Sequence, residues 1–352
     1  PMLIIGEVHT GLVQHGPPLS QSQSANILRL LDGDVVKLYQ RPIAFAMSPE
    51  RLTGVDCLMP SNTYRQIRGA GTVRHRAMVT GGRVLQGSSF ATLRRGEQNR
   101  RLAWPYYLAN PGIIETIGKV DWLDVRTGFV RGRAVPETLN IGGISGRAMD
   151  LVQQSEHLNR RPPLRAQRTV LRWTITPLEA KTREESDAKT EAVFTIRSDM
   201  LRTVELSLAP DDIEAGIKLC EDLALHDWLL TIVGDLLDVT RSSARPAAEK
   251  VSRLRVPVEH LLHLWMPGAR LDDTVRSAWT ALDQRPGFTS QWNASVQWIR
   301  DQIALETIAL MHAILPAAGG LPPAGGPPPP GGLPPQQNAL LGDDFRQPLM
   351  NI

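Results

Sequence analysis

Two adjacent glycines, Gly81 and Gly82, separate a β-rich run at residues 72–80 from another at residues 83–93, and no other feature of the chain limits its fold as tightly. Glycine takes positive φ without steric cost, so such a pair between two strand-like runs specifies a two-residue hairpin turn. Strand side chains alternate between faces. In the first arm this puts Val73, His75, Ala77 and Val79 on one face and Thr72, Arg74, Arg76 and Met78 on the other.

The segments around the hairpin extend this reading. Residues 3–13 are apolar and β-branched and predict a strand. Residues 35–47 predict another, which Pro42 restricts to an edge or a bulge. Between them, residues 20–31 predict a helix closed by Gly33. After a mixed stretch, a helix is expected at 144–158, and residues 165–176 and 193–208 read as strands. From Pro210-Asp211-Asp212 onward the pattern is helical, because proline and acids both suit a helix N-terminus. Ile213, Ile217, Cys220 and Ala224 then form one apolar stripe. Further helices are expected at 256–265, 271–282 and 289–315. In the last, Trp292, Val296, Ile299, Ile303 and Leu310 keep three-and-four spacing, the mark of a core-facing stripe or of a coiled-coil contact with another chain.

The expected fold class is therefore α+β: a β-rich N-terminal half, a helical C-terminal half and a Pro/Gly-rich tail. In residue numbers, 1–176 form a β-rich mixed domain and 177–191 an exposed loop. Residues 192–315 form a strand pair plus helical domain, 316–337 a linker and 338–352 a C-terminal docking peptide. The linker contains GGLPPAGGPPPPGG at 319–332, a composition that buries too little apolar surface to fold. Beyond it Leu340, Leu341, Phe345, Leu349 and Met350 restore apolar character and suit a tethered contact with a partner.

Localisation is expected to be cytoplasmic. The two cysteines, Cys57 and Cys220, stand far apart in apolar contexts, as reduced core thiols do. No leader-like pattern opens the sequence, and the apolar run at 223–239 carries His226, Asp227, Asp235 and Asp238, which suit a buried helix and not a membrane span.

Charge is unevenly divided. Residues 1–173 hold 23 Lys and Arg against 12 Asp and Glu, whereas residues 174–352 hold 16 against 24, so a formal net charge of +3 conceals a basic and an acidic half. Arg74, Arg76, Arg83, Arg94 and Arg95 form the expected binding face, suited to an acidic protein surface or to phosphate. With His75, Phe90, Tyr106 and Tyr107 nearby to stack on bases, nucleic acid is the alternative ligand, although no recognised nucleic-acid motif frames them. A second candidate is a metal site from Asp222, His226, His260 and His263, whose four- and three-residue spacings put each pair on one helix face, in the manner of a metal-dependent enzyme. Ordinary hydrogen-bonded core groups explain the same residues. A third is Gly142-Gly143-Ile144-Ser145-Gly146-Arg147, which reads as a loop and helix entry or as an anion cradle, and lacks the P-loop spacing. There is no nucleophile elbow, and no cofactor is implied.

Five segments together resemble an uncharacterised family of actinobacterial, Streptomyces-type cytoplasmic proteins. They are MLIIGEVHTGLVQ at 2–14, SPERLTGVDC at 48–57, VTGGRVLQGS at 79–88, CEDLALHDWLL at 220–230 and HLLHLWMPGARLD at 260–272. The resemblance covers residues 2–315. It implies a protein encoded beside a variant P-loop protein and working with neighbours, and it implies no catalytic residues. The expected function is a non-enzymatic adaptor or assembly subunit whose partners are other proteins, a P-loop protein or further copies of itself. On that reading, charge reversal at Arg74, Arg76 and Arg83 weakens assembly without unfolding the chain.

Overall fold

A computed structural model describes residues 2–63, 65–132, 137–178, 191–198, 200–242 and 246–318. The chain divides into Pro1–Leu310, which holds the sheet and nearly all the helices, and Met311–Ile352. The expected loop at 177–191 lies almost wholly outside the described residues. So do the linker and the docking peptide with Leu340, Leu341, Phe345, Leu349 and Met350.

The first half is β-rich and the second half helical. Among the described residues ten strands form one sheet: β1 (Met2–Leu12), β2 (Lys37–Tyr39), β3 (Phe45–Met47), β4 (Arg51–Leu58), β5 (Arg68–Thr80), β6 (Val84–Arg95), β7 (Ile113–Ile117), β8 (Thr169–Pro177), β9 (Glu191–Ile196) and β10 (Leu201–Leu208). Their order is β2-β3-β5-β7-β6-β1-β8-β10-β9, with β4 pairing β5 beside β3. Strands β8 to β10 thus continue the sheet that β1 to β7 begin. The segment expected at 177–191 lies between two strands of one sheet, and the described residues on both sides of it, as far as Leu310, belong to the same compact unit.

The glycine pair forms its hairpin. Gly81 and Gly82 have φ of 57° and 63°, and the Arg83 N–H donates to the Thr80 carbonyl at 3.0 Å. Thr80 pairs with Val84, so the loop counts three residues and Arg83 belongs to the turn. The arms separate beyond Arg74 and Phe90, and β7 enters between them, antiparallel to β5 and parallel to β6.

Helices cover both faces of the sheet. On one lie α1 (Gln21–Leu28), α3 (Trp122–Arg131) and α4 (Ile141–Gln153), which pack on Leu3, Ile5, Ala77, Val79, Leu85 and Leu93. On the other lie α2 (Trp104–Leu108) and α5 (Ile213–Ser242). Helix α5 sets Ile217, Cys220, Leu223 and Ala224 against Ile4, Val8, Phe90 and Trp173. Both faces of β1 are buried, which is why its sequence is apolar along most of its length. Behind α5 pack α6 (Ala247–His260), α7 (Arg276–Gln284) and α8 (Phe288–Ala318). At ~1.5–3 kcal/mol for each large side chain removed from water, the fully buried Trp228, Leu223 and Leu229 make α5 the central prop of the second half.

Several elements differ from expectation. Residues 35–47 form two short strands joined across Pro42, and 193–208 form two strands joined at 197–200. The helix expected at 256–265 runs from Ala247 to His260, with Pro257 inside it. Strands β4 and β7 were not expected, and helix α3 lies in the mixed stretch of residues 100–158, which reads as short helices broken by prolines and glycines. No helix among the described residues is long and apolar enough to cross a membrane.

Candidate functional site

The expected arginine face finds most of its acids within the chain. Arg76 is buried beneath α5, where Nε and Nη2 donate to the two carboxylate oxygens of Glu221 at 2.8 and 2.7 Å and Nη1 donates to Glu50 at 2.9 Å. Burial opposes its charge, but the Glu221 and Glu50 carboxylates outweigh it and hold the guanidinium pKa above its ordinary value. Arg74 reaches Glu214 at 3.3 Å, the first turn of the same helix. Arg94 pairs with Glu115 at 2.7 Å, and the Tyr106 hydroxyl donates to the same carboxylate oxygen at 2.7 Å. Arg83 is 1% exposed; it donates to the carbonyls of His15 and Gly16 and to Nδ1 of His260 at 3.1 Å. Arg95 alone of the five is exposed to solvent. Phe90 and Tyr107, expected to stack on bases, are both buried.

The second candidate group is divided. Nδ1 of the fully buried His226 donates to the Asp222 carbonyl at 2.7 Å, while Nε2 accepts the Met266 N–H at 3.3 Å. Both nitrogens are engaged, and burial pushes the pKa of this imidazole down. Asp222 accepts the Gly268 N–H at 3.0 Å, so the pair fastens the 265–268 segment to α5. His260 is turned to Arg83, and His263 lines a separate apolar pocket with Leu19, Ile43 and Phe45. Among the described residues no three His, Cys, Asp or Glu side chains group to hold a metal ion.

Gly142 and Gly143 are not a loop before a helix but its first turn, capped by Asn140 through the Gly143 N–H at 2.7 Å. The glycine admits a carboxylate already in the chain: a Cβ at position 142 would collide with Glu7. Glu7 accepts His9 Nε2 at 3.0 Å and Arg172 Nε at 2.9 Å. Burial alone would raise its pKa; His9 and Arg172 overcome that and hold it ionised, below the usual range. Register places Arg51, His75, Ser89, Glu7 and Arg172 in one polar row across five strands, under α4. Sequence reasoning missed this row, whose members run from Glu7 to Arg172 and show only as isolated polar residues in apolar strands.

A different constellation faces solvent. Pro105 starts the five-residue helix α2 and leaves Trp104 and Leu108 four residues apart on one side of it, 36% and 58% exposed, while Tyr107 turns inward. Trp104 lies over β4 at Gly54, where a side chain would touch the indole. Leu52, two residues along the same face of β4, is 43% exposed. Arg101 stacks on Trp104 at 5.1 Å and pairs with Asp56 at 2.7 Å, and Arg68 pairs with the other oxygen of Asp56 at 3.0 Å. One carboxylate therefore serves two guanidiniums, at the rim of an exposed apolar patch. A signal for it lies in the sequence, in the Arg100-Arg101 pair just ahead of Trp104-Pro105.

Comparison of the chain with protein-family models, with curated proteins and with solved structures finds no match.

Proposed function

We propose that this chain is a non-enzymatic adaptor or assembly subunit of a cytoplasmic multiprotein system, and that it docks an acidic partner through the patch of Trp104, Leu108 and Leu52. The observation that carries the reading is the placing of these large exposed apolar side chains beside Arg68 and Arg101, which share the single acid Asp56. Tryptophan and arginine dominate binding energy at protein interfaces, and clustered apolar exposure rimmed by polar groups marks such surfaces. The C-terminal peptide around Leu340, Leu341, Phe345, Leu349 and Met350 offers a second, tethered contact, so overall avidity would exceed that of the patch alone. The resemblance makes a P-loop protein one candidate partner, and a further copy of the chain another.

The test is copurification of the full chain from native lysate at about 50 mM and about 500 mM salt. The expected result is a stoichiometric partner held at low salt, weakened at high salt and lost with Trp104→Ala. A lone monomer at both salt concentrations overturns the reading. Nucleic acid is the second reading, favoured by the Arg101–Trp104 stack as a platform for bases; it predicts affinity for a single-stranded oligonucleotide that falls steeply with salt.

A further inference from the structure

Strand β4 is paired on one side. Along Arg51 to Leu58 it meets β5, from Arg51 opposite His75 to Leu58 opposite Arg68. On its other side, among the described residues, only Leu58 has a β-partner, Thr138. Strand β3 runs along the same side of β5 and has β2 as its outer neighbour. The sheet is therefore one strand wider beside β3 than beside β4. Native edges are commonly blunted by lysine or proline. Residues 51–58, RLTGVDCL, contain neither.

What surrounds this edge has a definite chemistry. On one face of β4, Leu52 and the Trp104 indole above Gly54 present apolar surface. Beside it stand Arg68 and Arg101, both exposed, which share the single acid Asp56. The local excess is one positive charge, beside an edge that among the described residues has no β-partner at 51–57. An extended segment with alternating side chains matches all three features at once: backbone hydrogen bonds to the edge, an apolar group toward Trp104 and Leu52, and carboxylates toward the arginines.

We infer that the outer edge of β4 takes up an extended acidic segment of a partner protein as an added strand, with an apolar side chain seated on Trp104 and Leu52. This rests on the assembly reading and names the mode of contact. Main-chain pairing supplies affinity with little sequence demand, whereas the arginines select for acid and speed encounter at low salt.

The probe is a fluorescein-labelled peptide of five Glu-Val repeats, titrated against the full chain. Binding is expected to weaken about tenfold or more between about 50 and about 500 mM salt. Leu52→Glu and Trp104→Ala should each weaken it about tenfold, with thermal unfolding unchanged. Hydrogen exchange should show new amide protection confined to residues 51–57. The same peptide N-methylated at every residue should lose binding, since it has no N–H left to give to the strand ladder. Equal binding by the methylated peptide, absence of protection at 51–57, or tighter binding of an oligouridine than of the peptide overturns the inference. A lysate partner that is lost with Trp104→Ala yet adds no protection at 51–57 overturns strand addition and leaves the assembly reading standing; peptide binding with no lysate partner does the reverse.

Discussion

At the scale of single residues, the governing contact is Arg76 with Glu221. Both are nearly buried, at 8% and 6% exposure, and they meet through two parallel hydrogen bonds while Gln86 donates to the Glu221 carbonyl at 2.9 Å. Paired buried charges contribute modest net stability, but removing one partner strands the other in a low-dielectric site. Arg76→Met should therefore lower unfolding free energy by ~3–5 kcal/mol, and Arg76→Met with Glu221→Leu should recover much of that loss. Urea denaturation of the two single variants and the double variant measures the cycle; additive losses would show that the pair is not coupled. The same burial changes the expectation for charge reversal. At Arg76 and at Arg83, which is 1% exposed, an acidic side chain would unfold the chain before it reported on assembly. Only exposed guanidiniums such as Arg95 and Arg101 serve that test.

Among the elements, the β5–β6 hairpin was the most legible, and its turn asks more of Gly82 than the turn after α1 asks of Gly33. Gly82 needs positive φ and also abuts the backbone of Leu19, whereas Gly33, at φ +84°, has open space around it. Gly33→Ala should cost about 1 kcal/mol from strain alone, and Gly82→Ala at least ~2 kcal/mol because the Leu19 segment must move as well. Thermal unfolding of the two variants separates these terms, and equal losses would remove the role of Leu19. Periodic apolar residues likewise made β1, α5 and α8 readable. Strand β4 was missed because its apolar residues Leu52, Val55, Cys57 and Leu58 fall at both parities, so no alternation marks it. Strand β7 was missed because a five-residue wedge is defined by the splay of two other strands, which local sequence does not encode. Alternation likewise identified the face of Arg74 and Arg76, but not that a helix some 140 residues later covers it. The exposed patch escaped because nothing local in the sequence tells that Tyr107 takes the inward position and leaves Trp104 and Leu108 outside.

For the Pro1–Leu310 unit, the charge division turns out to hold the halves together, since Arg74 and Arg76 of the basic half bind Glu214 and Glu221 of the acidic half. Acid should act on this unit through groups of opposite sign. Burial lowers the pKa of His226, which faces Asp222 and Arg270, and of His75, which faces Arg51 and Arg147. It also lowers that of His260, which faces Arg83, Glu259 and His263, and of His263, which faces Arg83. An unfolded histidine protonates near 6.5 while its folded counterpart resists, so each of the four removes stability as pH falls below that value. Asp227 works the other way. Burial outweighs its bond to Arg202 and raises its pKa to about 6, so the folded chain gains protons, and stability, between about 6 and the unfolded value near 3.8. Below that, the carboxylates of Glu7, held by His9 and Arg172, and of Asp124, held by hydrogen bonds from Ser61 and Thr63, have pKa values lowered in the fold; their protonation removes those interactions and stability should fall steeply. The urea midpoint is thus expected to be level above pH 7, to decline from about 6.5, to ease between about 6 and 4, and then to collapse. His226→Gln should reduce the first decline, because its amide can donate to Asp222 and accept from Met266 without a charge to resist. Asp227→Asn should abolish the easing. A midpoint curve in which neither variant changes its own window would show that these two buried groups do not govern the acid response.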